Sequence, residues 1–273
     1  SIYRLLKKYK FNEIYNLAAQ SFVKTSFTTP ISTSEVTGLG TLRILEMIRC
    51  LLPNCKFYQA SSSEMYGNTT SQSQNENTSF NPRSPYAISK VFAHYATKNY
   101  RESHNIYACS GILFNHESPL RGEEFVTRKI VKNLCEIKVK KRKYLELGNL
   151  YAKRDWGYAK DYVEAMWKMM QKRKADDYVI ATNKTFSIKY FINECCKHLN
   201  IKLKWTGKGI LEKGVDKKTK KIIVKINPKH FRPAEVSYLK GNYSKAKREL
   251  NWYPKTSLSQ LIKIMIKEEL KRL

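Results

Sequence analysis

The sequence predicts an α/β protein in which a doubly wound parallel sheet carries helices on both faces, with a smaller α/β lobe beside it. Two observations support this prediction. Short runs rich in β-branched and aromatic residues alternate with longer segments of helical period, which is typical of parallel sheets. The alternation weakens beyond residue 183, which indicates a second unit.

Each strand predicted for the sheet is short and is followed by a longer helical segment. The first of these segments has an apolar residue at every third position from Val36 to Leu51, as expected for a helix with one buried face. The predicted strands are residues 13–19, 56–61, 107–114 and 178–181, and the predicted helices are residues 33–51, 85–103 and 158–171.

The second unit has a different pattern. Helical periods at residues 187–199, 244–250 and 257–273 surround a lysine-rich polar stretch at 213–225. We therefore divide the chain into a sheet domain, residues 1–114 and 151–183, and a second lobe, residues 115–150 and 184–273.

Composition narrows the possible classes of protein. Of the 273 residues 42% are hydrophobic, which is enough for a buried core and excludes a disordered chain. The net charge is +28: the first 120 residues carry 12 basic and 7 acidic side chains, and the remainder carry 39 and 16. An anionic partner is expected to meet the second half. The lysine runs at 138–143 and 217–221 are predicted to be solvated surface.

The sequence shows neither a membrane-spanning segment nor the cysteine pattern of a zinc site or a disulfide scaffold. No stretch approaches the roughly 20 apolar residues that span a bilayer. The six cysteines have neither the spacing of a zinc site nor the density of a secreted disulfide scaffold. We expect a cytoplasmic protein without a metal site or a membrane anchor.

The end of the second predicted strand carries a cluster of reactive groups. The stretch Lys56-Phe-Tyr-Gln-Ala-Ser-Ser-Ser-Glu-Met-Tyr-Gly67 passes from an apolar run to three hydroxyls and a carboxylate, and then to a glycine turn. In open α/β sheets ligands bind beyond the carboxyl ends of the strands. Ser62, Ser63 and Glu64 are therefore predicted to lie in a binding site.

A second pair follows on the next helix. Tyr86 and Lys90 are four residues apart, so both lie on one helix face. A phenol has an ordinary pKa of about 10, and it can act as a base near neutrality only when a nearby positive charge lowers that pKa. We expect Lys90 to lower the pKa of Tyr86. By itself a Tyr-x-x-x-Lys pair is a weak signal, and its position after the Ser-Ser-Ser-Glu strand end gives it weight.

Blocks in fixed order extend this pattern over nearly the whole chain. With them the sequence resembles the extended short-chain dehydrogenase/reductase family and, within it, the GDP-mannose 4,6-dehydratases. The blocks are Asn16-Leu-Ala-Ala-Gln-Ser21, Ser84-Pro-Tyr-Ala-Ile-Ser-Lys90, Gly111-Ile-Leu-Phe-Asn-His-Glu-Ser-Pro119, Phe125-Val-Thr-Arg-Lys129, Arg154-Asp-Trp-Gly157 and Phe231-Arg-Pro-Ala-Glu-Val236.

The resemblance implies a hydro-lyase that converts GDP-α-D-mannose to GDP-4-dehydro-6-deoxy-D-mannose and water, the first step towards GDP-fucose and other GDP-deoxyhexoses. In such enzymes a hydride leaves C4 of the hexose for NADP, water is eliminated across C5 and C6, and the hydride returns to C6. Tyr86 would take the C4 hydroxyl proton with help from Lys90, Ser62 would hold the C4 oxygen, and Glu64 would remove the C5 proton. A sugar 4-epimerase has no use for that carboxylate, so Glu64 favours dehydration.

The resemblance also implies a division of the binding residues. The sheet domain would be a Rossmann-like NADP-binding domain, and the second lobe would bind GDP-mannose. Members of this family form dimers or tetramers, so a homo-oligomer is expected. The implied NADP-binding residues are Leu17, Ala18, Ala19, Gln20, Ser21, Lys90, His116 and Arg121, and the implied GDP-mannose-binding residues are Asn115, Lys129, Arg154, Arg232 and Glu235.

One expected element is not found in the sequence. A Rossmann sheet opens with a strand and a glycine-rich turn that binds pyrophosphate. No glycine precedes Gly38 here. We therefore expect about three N-terminal strands of the family's sheet to be missing from this chain, through truncation or decay. These 273 residues by themselves are expected to be inactive or poorly folded.

Two other functions remain open at this stage. A chain of charge +28 could bind nucleic acid nonspecifically, although no nucleic-acid-binding motif is recognisable. A catalytically inactive fragment or scaffold that joins active relatives is also compatible with the missing glycine turn. Oligonucleotide binding that survives Tyr86→Phe would favour the first, and loss of GDP-mannose turnover in that variant would favour the dehydratase.

Overall fold

The computed structural model of this chain describes residues 2–231 and 234–273. The strands are β1 (Glu13–Asn16), β2 (Lys56–Ser62), β3 (Ala108–Leu113), β4 (Asn115–Glu117), β5 (Leu145–Leu147), β6 (Lys153–Arg154), β7 (Trp156–Tyr158), β8 (Asp177–Ile180), β9 (Phe186–Ser187), β10 (Leu203–Thr206), β11 (Lys213–Asp216) and β12 (Ile222–Ile226). The α-helices are α1 (Ile2–Lys8), α2 (Val23–Ser26), α3 (Pro30–Ser34), α4 (Gly40–Leu51), α5 (Pro85–Ser103), α6 (Val126–Lys138), α7 (Ala159–Met170), α8 (Ile188–His198), α9 (Ser244–Leu250) and α10 (Leu258–Arg272).

The main sheet has the strand order β1-β2-β3-β8, and every pair in it is parallel. Its central strands β2 and β3 are buried almost throughout, which explains why they appear in the sequence as continuous rather than alternating apolar runs. Helices α4 and α5 contact each other and α5 contacts β2 and β3, whereas α7 contacts β2, β3 and β8. The predicted parallel α/β sheet is confirmed.

Strand β1 ends three residues before the predicted boundary. The side chain of Asn16 is buried and donates to Thr41 Oγ1 at 3.1 Å and to Gln59 Oε1 at 2.8 Å. Its Oδ1 accepts the Ala18 N–H at 3.3 Å. These bonds turn the backbone away from the sheet, so residues 17–21 form a loop at the carboxyl end of β1 instead of the end of a strand.

The predicted helix at 33–51 is divided. It consists of α3, a π-helical turn at Glu35–Leu39, and α4. The predicted helix 85–103 agrees with α5 at both ends. At its N-terminus Ser84 caps the helix by accepting the Ala87 N–H, and Pro85 occupies the first turn.

The second lobe contains a sheet of order β10-β11-β12-β5. The sequence predicted an α/β lobe but none of these individual strands. The sequence shows the stretch at 213–225 as lysine-rich and polar, and no strand was predicted there. Strands β11 and β12 pair in antiparallel fashion in this stretch, and Ile223 and Val224 of β12 are buried against the core formed with α6, α8 and α10. The lysine runs at 138–143 and 217–221 are exposed, as predicted.

Two features of this fold position a site at the carboxyl ends of the main strands. Strand β4 follows β3 directly and pairs in parallel with β7, so that Asn115 lies opposite Trp156 and His116 opposite Gly157. Two blocks that are 40 residues apart in the sequence therefore become neighbours.

Among residues 2–231 and 234–273, no helix is long and apolar enough to cross a membrane.

Candidate functional site

A cavity of about 450 Å³ lies between the carboxyl ends of the main sheet and the second lobe. It brings together most of the residues predicted from the sequence. Ala18 and Gln20 are not among its lining residues, and Arg232 lies outside the part of the chain that the structure describes. The predicted residues that line it are Leu17, Ala19, Ser21, Ser62, Glu64, Tyr86, Lys90, Asn115, His116, Arg121, Lys129, Arg154 and Glu235.

Ser62 and Glu64 reach the cavity because β2 ends in a tight turn. The Ser62 hydroxyl accepts the Glu64 backbone N–H at 3.2 Å and caps the 3₁₀ turn Ser63–Tyr66. Gly67 closes the turn with a φ of +51°, and a Cβ at this position would lie 1.7 Å from the Asn81 carbonyl oxygen. Glycine is required here for both reasons.

The first two turns of α5 supply Tyr86 and Lys90, which are 8% and 3% exposed. The Lys90 ammonium donates to the Ala60 carbonyl of β2 at 2.6 Å. Its Nζ is 5.9 Å from the centroid of the Tyr86 ring. The helix thus places both groups against the end of β2, as their spacing predicted.

The electrostatics of this pair differ from the prediction. Burial raises the pKa of Tyr86 to about 12; Glu64 adds to the increase, whereas Ser62 and Arg121 oppose it. Burial also lowers the pKa of Lys90 to about 8. The expectation that Lys90 lowers the pKa of the phenol is wrong for this structure. Its ammonium is bonded to the Ala60 carbonyl, and the cation that lowers the Tyr86 pKa is Arg121.

His116 has a fixed ring orientation and protonation state. Its Nδ1 lies 2.9 Å from the Phe114 carbonyl oxygen, which can only accept, so Nδ1 carries the proton and Nε2 keeps a lone pair. The ring stacks on Tyr162 with centroids 5.1 Å apart. Burial lowers the pKa of His116 to about 4, so the imidazole is neutral at physiological pH.

Arg154 and Glu235, both predicted to bind the substrate, are paired with each other. Arg154 Nη2 is 3.0 Å from Glu235 Oε1, and Nη1 donates to the Lys153 carbonyl. The next residue, Asp155, is buried and accepts hydrogen bonds from Thr182 and from the Gly241 backbone. Asp155 therefore fixes the short segment that carries Arg154.

Sequence reasoning missed several residues of the cavity wall. Glu117 and Trp156 lie inside sequence blocks that match the family, but neither residue has a pattern of its own that predicts a role. Lys24 and His230 also line the cavity and have no sequence signal. Lys24 Nζ donates to the Lys229 carbonyl at 2.9 Å, and His230 Nε2 is 3.4 Å from Lys129 Nζ.

Three buried polar atoms of the wall have no hydrogen-bond partner within the described residues. They are Asn115 Oδ1, Arg121 Nε and Trp156 Nε1. Because a buried polar group without a partner costs about 1–3 kcal/mol, such atoms in a cavity indicate a ligand or water that would satisfy them.

Comparison with known proteins shows which family has sequences similar to this chain. The chain matches the family described as "GDP-mannose 4,6 dehydratase" over residues 1–265. It is 52% identical to the protein of that name from Drosophila melanogaster, over 99% of this chain and 69% of that protein. It is 45% identical to the Homo sapiens protein of that name, over 96% of this chain and 71% of that protein.

Solved structures share the fold at much lower identity. RMD from Pseudomonas aeruginosa, which was solved in complex with NADPH, superimposes with a TM-score of 0.81 at 19% identity, covering 96% of this chain and 82% of that one. At this identity the similarity shows the fold alone. It agrees with the parallel α/β architecture described above.

Proposed function

Because this chain belongs to the GDP-mannose 4,6-dehydratase family, we propose that its cavity dehydrates GDP-α-D-mannose to GDP-4-dehydro-6-deoxy-D-mannose with the help of NADP. The observation that carries the proposal is that Tyr86 and Glu64, the two groups that the reaction needs, line one cavity together with Ser62 and Lys90. Sequence blocks alone did not bring these side chains together.

Tyr86 is the group that would hold and accept the proton of the C4 hydroxyl. With a pKa of about 12 the phenol is protonated at rest, so it depends on neighbours that stabilise its anion. The Ser62 hydroxyl and the Arg121 guanidinium act in this direction. Lys90 Nζ lies 5.9 Å from the ring centroid and is not among the groups that lower the pKa of Tyr86. The pKa of Lys90, about 8, leaves its ammonium largely charged at neutral pH and able to donate to a bound cofactor.

Glu64 would act on the neighbouring carbon. Once C4 is a ketone, the C5 proton is acidified and a carboxylate can remove it, while the C6 hydroxyl leaves as water after protonation. The charge of Glu64 raises the pKa of Tyr86, which means that the two groups lie close enough to interact. That proximity is required if both are to act on adjacent carbons of one hexose.

The cavity has features that fit the nicotinamide end of NADP. When bound, NADP would accept the hydride from C4 and return it at C6. Ala19 and Ala60 leave room for close approach to the backbone. His116 Nε2 and Asn115 Oδ1 are acceptors for a carboxamide or ribose hydroxyl, and the Lys90 ammonium is a donor.

Arg154 of the sheet domain and Lys129 of the second lobe offer cations for the diphosphate of GDP-mannose. Arg154 is buried in the wall, and its pairing with Glu235 holds the guanidinium in a fixed orientation. Burial lowers the pKa of Lys129, as do the nearby cations Lys24 and Arg142. A bound diphosphate would relieve this repulsion between positive charges, and this supports the assignment of Lys129 to the substrate.

The test is a product assay on the full translation product of the gene, supplied with GDP-mannose and NADP. We expect the wild type to release the 4-keto product. Tyr86→Phe should lower kcat at least about a hundredfold. Glu64→Gln should permit oxidation at C4 but not elimination, so that reduced nicotinamide accumulates without 6-deoxy product.

Two exposed residues provide matched controls. Tyr190→Phe on α8 and Glu102→Gln on α5 make the same chemical changes on the surface and should retain wild-type turnover. A fully active Glu64→Gln variant would refute the proposed chemistry. Salt-sensitive oligonucleotide binding without any turnover would instead favour the nucleic-acid-binding alternative.

We also propose that the chain forms a homo-oligomer through the outer face of α5. This face and the adjoining α3 and π turn expose apolar side chains that monomeric proteins usually bury. The residues are Ile31, Val36, Ile88, Phe92 and Tyr95. Phe92→Glu should lower the molar mass measured by sedimentation to that of one chain, whereas Lys98→Glu, on the same helix, should not. An unchanged mass for Phe92→Glu would contradict this interface.

A cytoplasmic location is part of the same proposal. All six cysteines lie within the described residues as free thiols, and five of them are buried. Free thiols are typical of proteins from reducing compartments. Fractionation of the cells that make the protein would test this location.

A further inference from the structure

Glu117 is a buried carboxylate in the cavity wall that the proposed chemistry does not use. It ends strand β4 and is 2% exposed. Burial raises the pKa of Glu117, while Arg121 and Thr127 oppose that increase. Burying a carboxylate has a large free-energy cost, so the contacts that offset it identify what the residue does.

The contacts of Glu117 join three segments. Its Oε2 accepts the Thr127 hydroxyl of α6 at 2.6 Å. The same oxygen lies 3.4 Å from Arg121 Nε, in the loop between β4 and α6. One carboxylate therefore connects the end of a strand, the start of a helix and the loop between them.

Arg121 lies between this anchor and an aromatic surface. Its guanidinium carbon is 3.6 Å from the centroid of the Phe125 ring, which is a close cation–π contact. Phe125 in turn meets the edge of Phe22, from the segment after β1, with centroids 5.9 Å apart. Leu120, immediately before Arg121, is 86% exposed. The loop is therefore exposed at Leu120 and anchored to the interior at Arg121.

The charge of Arg121 acts inside the cavity. It lowers the pKa of Tyr86 and that of His116, so the guanidinium is close to both groups. A guanidinium can stabilise phosphate oxygens or a developing phenolate only if it is held in place. The contacts of Arg121 with Glu117 and Phe125 therefore determine whether its guanidinium can stabilise an anionic group in the cavity.

We propose that Glu117 is a positioning residue that holds the Arg121 guanidinium in the cavity, where it meets an anionic group of a bound nicotinamide dinucleotide. The proposal rests on the proposed function for the identity of that ligand. The hydrogen bond from Thr127 orients the carboxylate, and the Phe125 ring limits the guanidinium on its other side.

The direction in which NADPH affinity changes in Glu117→Gln distinguishes a positioning role of Glu117 from a purely electrostatic effect of its charge. Glu117→Gln removes a negative charge beside Arg121, so electrostatics alone would strengthen the binding of an anionic dinucleotide. A positioning role predicts the opposite: the dissociation constant for NADPH should be about tenfold higher in Glu117→Gln than in the wild type. Fluorescence titration of the full translation product measures it. Tighter or unchanged binding by Glu117→Gln would overturn the proposal.

Two further variants support the comparison. Thr127→Val removes the bond that orients the carboxylate and should weaken NADPH binding in the same direction by a smaller factor. It also keeps the proposal testable if Glu117→Gln does not fold; unchanged binding in Thr127→Val would then count against it. Glu123→Gln is the matched control, because Glu123 is an exposed, ion-paired glutamate of the same loop, and it should bind NADPH like the wild type.

A ligand-free measurement separates failure of this inference from failure of the proposed function. Trypsin cleaves after Arg121, and the rate should increase severalfold in Glu117→Gln but not in Glu123→Gln, because the side chain is no longer held inside. An unchanged rate would contradict the anchoring role. If cleavage is faster in Glu117→Gln but the wild type does not turn over GDP-mannose, the anchoring role of Glu117 is supported and the proposed dehydratase activity is refuted.

Discussion

The Lys90 ammonium donates a 2.6 Å hydrogen bond to the Ala60 carbonyl, so the buried charge of α5 is fixed to the strand that ends at Ser62. This contact accounts for one hydrogen of the ammonium. Within the described residues Lys90 forms no ion pair, so no carboxylate accepts from the other two hydrogens of its ammonium. The group is therefore largely desolvated, which explains why burial lowers its pKa to about 8.

Lys90→Met should change how stability depends on pH. The ordinary pKa of 10.5 falls to about 8 in the folded state, so between these values the unfolded chain binds a proton that the folded chain has lost. The free energy of unfolding of the wild type should therefore rise with pH in this window, relative to the variant, by up to about 3 kcal/mol. Urea unfolding of both proteins at pH 8 and pH 10 measures the difference. A constant difference would show that the ammonium is not desolvated.

Ser62→Ala should affect both the turn and the chemistry. The hydroxyl caps the 3₁₀ turn that carries Glu64, and it lowers the pKa of Tyr86. Removing it should cost about 1 kcal/mol of stability and reduce kcat/KM about tenfold to a hundredfold. Ser62→Thr keeps the hydroxyl and should restore most of the activity. Equal loss in both variants would mean that the hydroxyl is not the important group.

Asp155→Asn should destabilise the protein by about 2–3 kcal/mol. The carboxylate accepts hydrogen bonds from the Thr182 N–H and hydroxyl through one oxygen and from the Gly241 N–H through the other. An amide would turn an N–H group towards one of these donors. Thermal unfolding at neutral pH gives the magnitude.

The same substitution should remove a pH dependence. Burial raises the pKa of Asp155 from 3.8 to about 6, with the hydrogen bonds opposing. Between these values the folded chain binds a proton that the unfolded chain has lost, so the stability of the wild type should fall as pH rises from about 4 to about 6. The variant should lack this component. A parallel pH profile in both proteins would argue against the raised pKa.

Tyr58→Phe should stabilise the protein by about 1 kcal/mol. The Tyr58 hydroxyl is fully buried, and within the described residues it has no hydrogen-bond partner. It also occupies the space above Gly111, where a Cβ would lie 2.2 Å from the hydroxyl oxygen. Gly111→Ala should therefore be costly in the wild type and cost less when combined with Tyr58→Phe. Additive effects in this double-mutant cycle would exclude the predicted clash.

The parts of the molecule that could be predicted from the sequence are those with local patterns. Helical periodicity predicted α5 with its bounds. The rule that parallel sheets bind ligands at the carboxyl ends of their strands predicted that Ser62, Ser63 and Glu64 lie in the site. The strands at 213–226 were missed because lysines on the solvent side interrupt the apolar residues that face the core.

Relationships between distant residues required the structure. Arg154 and Glu235 are 81 residues apart, so their ion pair could not be derived from either block. The direction of the Tyr86 pKa shift depends on burial, and helical spacing to Lys90 contains no information about burial. Glu117 could not be predicted as a site residue for the same reason, because its burial is not visible in the sequence.

The cavity wall is built from segments that extend from residue 17 to residue 235, and both the main sheet and the second lobe contribute to it. Unfolding of either unit would consequently release whatever the cavity holds. A ligand at a hundred times its dissociation constant therefore adds about 2.7 kcal/mol to the free energy of unfolding of either unit, and the two units should melt as one cooperative transition when the cavity is filled.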